Sequence, residues 1–191
     1  KALTGLGNQV DFLSLIGGDQ AGDLVSGALA AIPAGGANVL PLLAQTCQSV
    51  ILYDGAGKRQ IYTDLKDVQQ RVYPAQRFEA ALAAANGCVL CNINFARPFL
   101  AAARAAGKPI ATDVHTIDDL EDPYNADFMR AADILFMSHE RLPAAPQAWA
   151  QAVMQRYAPE VLVIAMGSEG ALLFEKGAGA PLHLPAASLR P

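Results

Sequence analysis

Apolar and polar positions along the chain follow two different periods. From Asp19 onward the apolar residues Ala21, Leu24, Val25, Ala28, Leu29 and Ile32 recur at i, i+3, i+4, i+7, i+8 and i+11, the single stripe of an amphipathic helix. Asp19 offers a side-chain oxygen to the exposed N–H groups of the first turn, and Pro33 to Gly36 ends the run. Before it, Gln9 to Ile16 reads as a strand broken by Gly17-Gly18. From about Leu42 to Leu65 the period changes. Two runs, Gln48 to Tyr53 and Gln60 to Leu65, flank Asp54-Gly55-Ala56-Gly57-Lys58, whose aspartate and glycines suit an antiparallel hairpin.

After Pro74 helix and strand alternate. Phe78, Ala81, Leu82 and Ala85 mark a helix, Cys88–Cys91 a strand, and Pro98 and Gly107 open and close the next helix. Strand Ile110–Thr112, a helix through Phe128–Ala132, strand Ile134–Met137, a helix with Trp149, Ala152, Val153 and Tyr157, and strand Val161–Ala165 follow. Ala171–Phe174 and Leu182–Leu184 around Gly177 read as a second hairpin. Strands this apolar are expected to be buried on both faces. Their alternation with helices predicts an α/β fold: a doubly wound, mainly parallel sheet with helices on both faces, plus a small antiparallel β insertion. The expected division is one α/β domain from residues 1–41 and 66–191, with 42–65 as the hairpin segment.

Composition narrows the function. At 52% hydrophobic and 17% charged, the chain is a folding sequence. A net charge of −4 with 14 scattered Lys and Arg speaks against a nucleic-acid partner, since no run is dense enough to neutralise several phosphates. No apolar stretch reaches the ~18 residues that cross a bilayer, and the start does not read as a signal peptide, so no membrane partner is expected. The chain lacks an initiator methionine and stops at Arg190-Pro191, from which further sequence at both ends is expected. Cys88 and Cys91 form a C-x-x-C, but strand positions i and i+3 point to opposite faces, and no second ligand pair completes a zinc site. They read as buried free thiols of a cytoplasmic protein.

Several motifs sit where chemistry is done. Gly55-Ala56-Gly57-Lys58 is not a P-loop, because Leu52 and Arg59 stand where a glycine and a hydroxyl residue are required. Gly17-Gly18-Asp19-x-x-Gly22 marks a strand-to-helix turn, read as a tight turn with a helix cap or as an anion site. Gly167-Ser168-Glu169-Gly170 follows a buried strand and lets the main chain approach a ligand or simply turn. Asp113 ends a buried strand, where open α/β sheets bind ligands. The acidic loop after it (His115, Asp118, Asp119, Glu121 and Asp122) is either solvated or a metal or polar-ligand site. Asn92 and Asn94 likewise hold a polyol or shape a turn.

In order, these segments resemble the ribokinase-like carbohydrate kinases of the phosphofructokinase B type along nearly the whole chain. The residues that carry the likeness are Leu3-x-x-Leu6-Gly7-x-x-Val10-x-x-Leu13-x-x-Ile16-Gly17-Gly18-Asp19-x-x-Gly22, then Ala132-Asp133-Ile134-Leu135 before Ser138, then Val163-Ile164-Ala165-Met166-Gly167-Ser168-Glu169-Gly170-Ala171. The 42–65 insertion falls where that family has part of its substrate lid. The resemblance implies ATP- and Mg²⁺-dependent phosphorylation of a hydroxymethyl group on a sugar or nucleoside. On that plan a base takes the hydroxyl proton while N–H dipoles and the metal stabilise the moving phosphoryl group. It further implies nucleotide contacts from Ser138, Gly167, Ser168 and Gly170, substrate contacts from Asn92 and Asn94, a metal role for Glu140, and a homodimer through the lid as one arrangement.

The sequence departs from the family pattern in places. Gly177-Ala178-Gly179-Ala180 imitates the family's Gly-Ala-Gly-Asp catalytic run but ends in alanine within a hairpin, so no catalytic residue is assigned and the base is expected beyond Pro191. The 191 residues alone are therefore expected to be inactive. Asn-x-x-Glu appears as Ser138-His139-Glu140-Arg141, Ala165 stands for the loop threonine, and the family's upstream glycine–asparagine motif is absent. The altered 138–141 segment motivates a second reading, a non-catalytic relative that binds ligand as a regulatory or structural partner.

Overall fold

The computed structural model describes residues 2–32, 36–55 and 59–188. The chain divides into two compact units, Lys1–Ala81 and Leu82–Pro191. The first contains a short helix α1 (Ala2–Gly5), β1 (Ser14–Gly17), α2 (Gln20–Ala30), β2 (Val39–Leu43), β3 (Gln48–Tyr53), β4 (Arg59–Asp64) and most of α3 (Ala75–Ala84). Strands β1 and β2 run parallel, pairing Ser14 with Val39 and Leu15 with Leu40. Leu15, Ile16, Val39, Leu43, Val68, Tyr73 and Phe78 are buried in this unit's core, and the Tyr73 hydroxyl donates to the Asn38 carbonyl at 2.7 Å.

One expectation is corrected here, and one strand was not anticipated. The strand expected over residues 9–16 begins only at Ser14, because Asp11 receives the Asn38 side-chain amide at 2.9 and 3.0 Å and the stretch before Ser14 lacks a ladder. Strand β2 had no strand pattern, since Pro41 interrupts it; proline fits because the strand pairs on one side only. The expected helix end at Pro33 to Gly36 lies largely outside the described residues, and so does part of the Asp54–Lys58 turn.

The antiparallel strand pair forms as expected. Strands β3 and β4 pair antiparallel from Gln48↔Asp64 to Tyr53↔Arg59, and all twelve residues are exposed.

The second unit follows the alternating pattern: β5 (Cys88–Val89), α4 (Phe99–Ala105), β6 (Ile110–Thr116), α5 (Ala126–Ala131), β7 (Ile134–Ser138), α6 (Pro146–Tyr157), β8 (Val161–Ala165), β9 (Ala171–Glu175) and β10 (Leu182–Leu184). The six-stranded sheet has the order β10-β9-β8-β7-β6-β5, with β5 to β8 parallel and β9 and β10 antiparallel. Pro98 and Gly107 bracket α4, Gly107 at φ +64°, and Ala158 ends α6 in the left-handed region. Asp133 fastens the start of β6: its Oδ2 accepts from the Ile110 N–H at 2.8 Å while Oδ1 pairs with Arg104 at 2.6 Å.

Burial alternates along the strands. Ile110, Val114, Leu135, Met137, Leu162 and Ile164 are buried with α5 and α6 residues such as Met129, Ala150 and Val153. On the opposite face Val89 is 61% and Phe136 40% exposed. Burial on both faces was expected from apolarity alone, but a run such as Ile-Leu-Phe-Met cannot show which of its two faces is covered. The cysteines are corrected in the same way. The strand expected over Cys88–Cys91 covers only Cys88–Val89, so Cys91 lies past its end; Cys88 is half-buried and Cys91 exposed, and both thiols are free.

Candidate functional site

Parallel strands bring their carboxyl ends to one edge, so β5 to β8 deliver the loops after Val89, Thr116, Ser138 and Ala165 to the same side of the sheet. Five of the seven residues singled out for contacts, Ser138, Glu140, Gly167, Ser168 and Gly170, lie at the end of β7 or in the segments that follow β7 and its neighbour β8. Ser138 is the last residue of β7 and pairs with Ala165, the last of β8. The His139 N–H donates to the Ala165 carbonyl at 2.9 Å, and the ring Nδ1 lies 3.0 Å from the same oxygen. This joins the Ser138–Glu140 turn to the Gly167–Gly170 loop.

That loop is a 3₁₀ turn, Gly167–Glu169. Its own hydrogen bonds use the N–H of Glu169 and Gly170, the Met166 N–H donates to the Gly170 carbonyl at 2.7 Å, and the N–H groups of Gly167 and Ser168 stay outside the turn's bonds. Two donors on consecutive residues suit an anionic ligand. The glycines differ in what they do. Gly167, at φ +60°, has open space where a β-carbon would stand; Gly170, at φ +90°, would place one 2.0 Å from the Leu184 carbonyl oxygen. His183 of β10 braces the loop from outside, its Nε2 2.8 Å from the Glu169 carbonyl.

Glu140 is exposed, and its N–H donates to the Ser138 hydroxyl at 3.3 Å. Among the described residues no three His, Cys, Asp or Glu side chains gather as a metal cluster. Mg²⁺ binds through one or two carboxylates, with water and phosphates completing its shell, so a single exposed carboxylate at the edge fits it.

Asn92 and Asn94 lie in the loop after β5, farther along the same edge. Both are built into a network: the Asn92 side-chain amide donates to Asn125 Oδ1 at 2.9 Å, and Asn94 Oδ1 accepts from Arg97 Nε at 3.2 Å. Asp113 Oδ1 accepts from the His115 N–H at 2.8 Å, and His115 takes a left-handed φ of +60°. The acidic loop gathers into ion pairs and turns: Asp118 with Arg141, Glu121 with Arg156, and Asp119 and Asp122 with backbone N–H groups. The Arg156 hydrogen bond holds the Glu121 carboxyl below its ordinary range.

In the first unit, Gly17-Gly18-Asp19-x-x-Gly22 is a helix cap. Asp19 Oδ1 accepts from the Gly22 N–H at 2.9 Å and the Thr46 hydroxyl at 2.6 Å, and Oδ2 from the Thr46 N–H at 2.9 Å. The Thr46 hydroxyl in turn accepts from the buried Gly17 N–H at 2.8 Å. The aspartate carboxylate itself occupies the place an anion would take. A β-carbon on Gly22 would lie 2.1 Å from the Gly17 carbonyl oxygen, and one on Gly17 2.6 Å from the Thr46 nitrogen. The Thr46 hydroxyl, foremost, holds the Asp19 carboxyl below its usual value.

Thr46, Arg97 and His183 escaped the sequence reading. Their partners Asp19, Asp127 and Glu169 lie 27, 30 and 14 residues away, although Arg97 also reaches Asn94 three residues before it.

The chain matches the profile of the pfkB family carbohydrate kinases over residues 1–188. Among solved structures it is similar to a microbiome-derived acarbose kinase, at 26% identity and a TM-score of 0.80, over 98% of this chain and 62% of that one. It is also similar to a fructokinase with bound ATP from Xylella fastidiosa (19%, TM-score 0.76, 99% and 64%) and an Arabidopsis thaliana ribokinase complexed with ribose and ATP (18%, TM-score 0.71, 96% and 63%). The chain thus spans less than two thirds of the length of these relatives. No curated protein sequence matches it. Among the described residues no helix is long and apolar enough to cross a membrane.

Proposed function

Because the chain belongs to the pfkB family of carbohydrate kinases, we propose that it is the greater part of an ATP-dependent kinase that phosphorylates a hydroxymethyl group of a sugar or nucleoside. The observation that carries this reading is the pairing of two strand ends. Ser138 and Ala165 close adjacent strands, and the N–H groups of Gly167 and Ser168 stand outside the turn that follows. Those two N–H groups and the Ser138 hydroxyl would hold nucleotide phosphate, with Gly170 fixing the loop's path. Glu140 would hold Mg²⁺ through its water shell, and the metal, when bound, supplies charge to the phosphates. Asn92 and Asn94, on the same edge, would contact the acceptor's hydroxyls.

The acceptor needs a base within hydrogen-bond reach, and we assign that group to sequence beyond Pro191; the 191 residues alone would then transfer no phosphoryl group. A cytoplasmic location, where ATP is supplied, goes with this reading. A homodimer through the β3–β4 pair goes with it too, because both faces of that pair are exposed and an isolated two-stranded pair is marginal in water.

The test is an ADP-release assay with a panel of sugars and nucleosides, run on the complete reading frame and on these 191 residues, beside calorimetry with ATP. Turnover by the complete protein alone is expected. Ligand binding without ADP release from either would favour the non-catalytic relative. Turnover by the 191 residues would put the base within them.

A further inference from the structure

The loop after β5 crosses the carboxyl edge with Asn92, Asn94 and Arg97, and Arg97 is gripped from several directions at once. Its Nε donates to Asn94 Oδ1 at 3.2 Å, one terminal nitrogen donates to the Tyr124 carbonyl at 2.9 Å, and the other pairs with Asp127. The guanidinium carbon lies 4.8 Å from the centre of the Tyr124 ring and 4.6 Å from that of Phe128. A second tie runs beside it: the Tyr124 hydroxyl donates to the Asn92 carbonyl at 2.9 Å. The loops that follow two adjacent parallel strands are thus fastened together through one planar cation.

We propose that Arg97 is a positioning residue for the acceptor: through Asn94, and through Tyr124 to Asn92, it sets the loop after β5 in the geometry that meets substrate hydroxyls. The proposal rests on the reading of Asn92 and Asn94 as substrate contacts. A guanidinium held by a carboxylate, a carbonyl and two rings has one orientation, and the amide oxygen bonded to its Nε takes its direction from it. Lysine cannot replace it. The ammonium keeps the charge toward Asp127 but has no flat surface to lie against the rings and no fixed fork of donors. A preorganised polar edge binds hydroxyls without ordering the loop at the moment of binding, so loosening it should weaken the acceptor and leave the nucleotide alone.

The experiment uses the complete reading frame, with Arg97→Lys, Asn94→Ala, the double variant and Tyr124→Phe, and ribose, fructose and inosine as probes. Binding of each probe is measured by calorimetry, with KM for the acceptor and for ATP. For Arg97→Lys the acceptor constant is expected to rise about tenfold with the ATP constant within about twofold. The double variant is expected to be no weaker than Asn94→Ala alone, because the two residues act in series. Tyr124→Phe keeps its ring on Arg97 and deletes the hydroxyl's bond to Asn92, so it gives an answer even if Arg97→Lys does not fold; a severalfold rise in the acceptor constant is expected. Acceptor constants unchanged in both variants, acceptor and ATP constants shifting together, or additive effects in the double variant would overturn the proposal. If the parent protein binds none of the probes, the functional reading fails and takes this inference with it; if the parent binds and the variants match it, the inference alone fails.

Discussion

Gly170 lies so close to Leu184 that a β-carbon on it would stand 2.0 Å from the Leu184 carbonyl oxygen. The contact ties the loop after β8 to β10, and Gly170 also adopts a φ of +90°. Gly170→Ala is therefore expected to lose more than about 3 kcal/mol in urea unfolding, from backbone overlap added to left-handed strain. Gly167→Ala has open space and should lose only about 1–2 kcal/mol. Of the two, Gly167→Ala is the variant that can report on nucleotide binding in a folded protein, and a raised ATP KM is expected from it.

Asp19 should make the first unit sensitive to acid. Its carboxyl is held below its ordinary value, by the Thr46 hydroxyl above all. The native state therefore prefers the ionised form more than the unfolded chain does. The resulting stabilisation is complete above about pH 4 and drains away as the pH falls through the lowered native value. Asp64, Asp67 and Glu121 are shifted the same way, so Asp19→Asn should make the fall of the urea midpoint between about pH 4.5 and 2 shallower without abolishing it. An unchanged slope would count against the cap as a contributor.

Thr46→Val tests the other end of the same bond. It leaves the buried Gly17 N–H without its acceptor and removes one donor from Asp19. A loss of about 1–3 kcal/mol in chemical unfolding is expected, larger than for a Thr→Val change on the exposed strands such as Thr63→Val.

Glu140→Gln separates a metal role from a solvated carboxylate. Glu140 is exposed, so stability should stay within about 0.5 kcal/mol. In the complete protein turnover should drop and the Mg²⁺ concentration for half-maximal rate should rise. Parallel Mg²⁺ titrations of parent and variant decide between the two.

The dimer is tested on the exposed pair. Ile51 sits opposite Ile61 and both are about half exposed. Ile51→Asp should convert a dimer to a monomer in sedimentation velocity. Its effect on the unfolding of the monomer should stay within about 0.5 kcal/mol, since the side chain is exposed.

Much of the second unit was legible because its signals are local. The stripe through Trp149, Val153 and Tyr157, the proline and glycine around α4, and the apolar run at 161–165 each fix an element by its own neighbours. Strand β6 shows where that stops. Its continuation through Asp113 to Thr116 carries polar residues and a register shift, and pairing with β7, not pattern, makes it a strand. The candidate site divides in the same manner. The glycines at 167 and 170 were visible, but their different tasks depend on Leu184, which lies far along the chain. Asn92 and Asn94 were visible as polar residues after a strand, while Arg97, which donates to Asn94, also pairs with Asp127 30 residues later.

Strands β3 and β4 bury none of their twelve residues, while the chain just before them is fastened at Thr46 by Asp19 and at Ala44 by Asp67. Foundation and superstructure are thereby separated. Substitutions at Asp19, Thr46, Gly17 or Gly22 break the base, whereas Val50, Ile51, Leu52, Ile61 and Tyr62 can change with little effect on folding. Apolar-to-polar mutations that would unfold a core are expected to be tolerated on this pair. New surface contacts can then be acquired there one residue at a time, without the fold being put at risk.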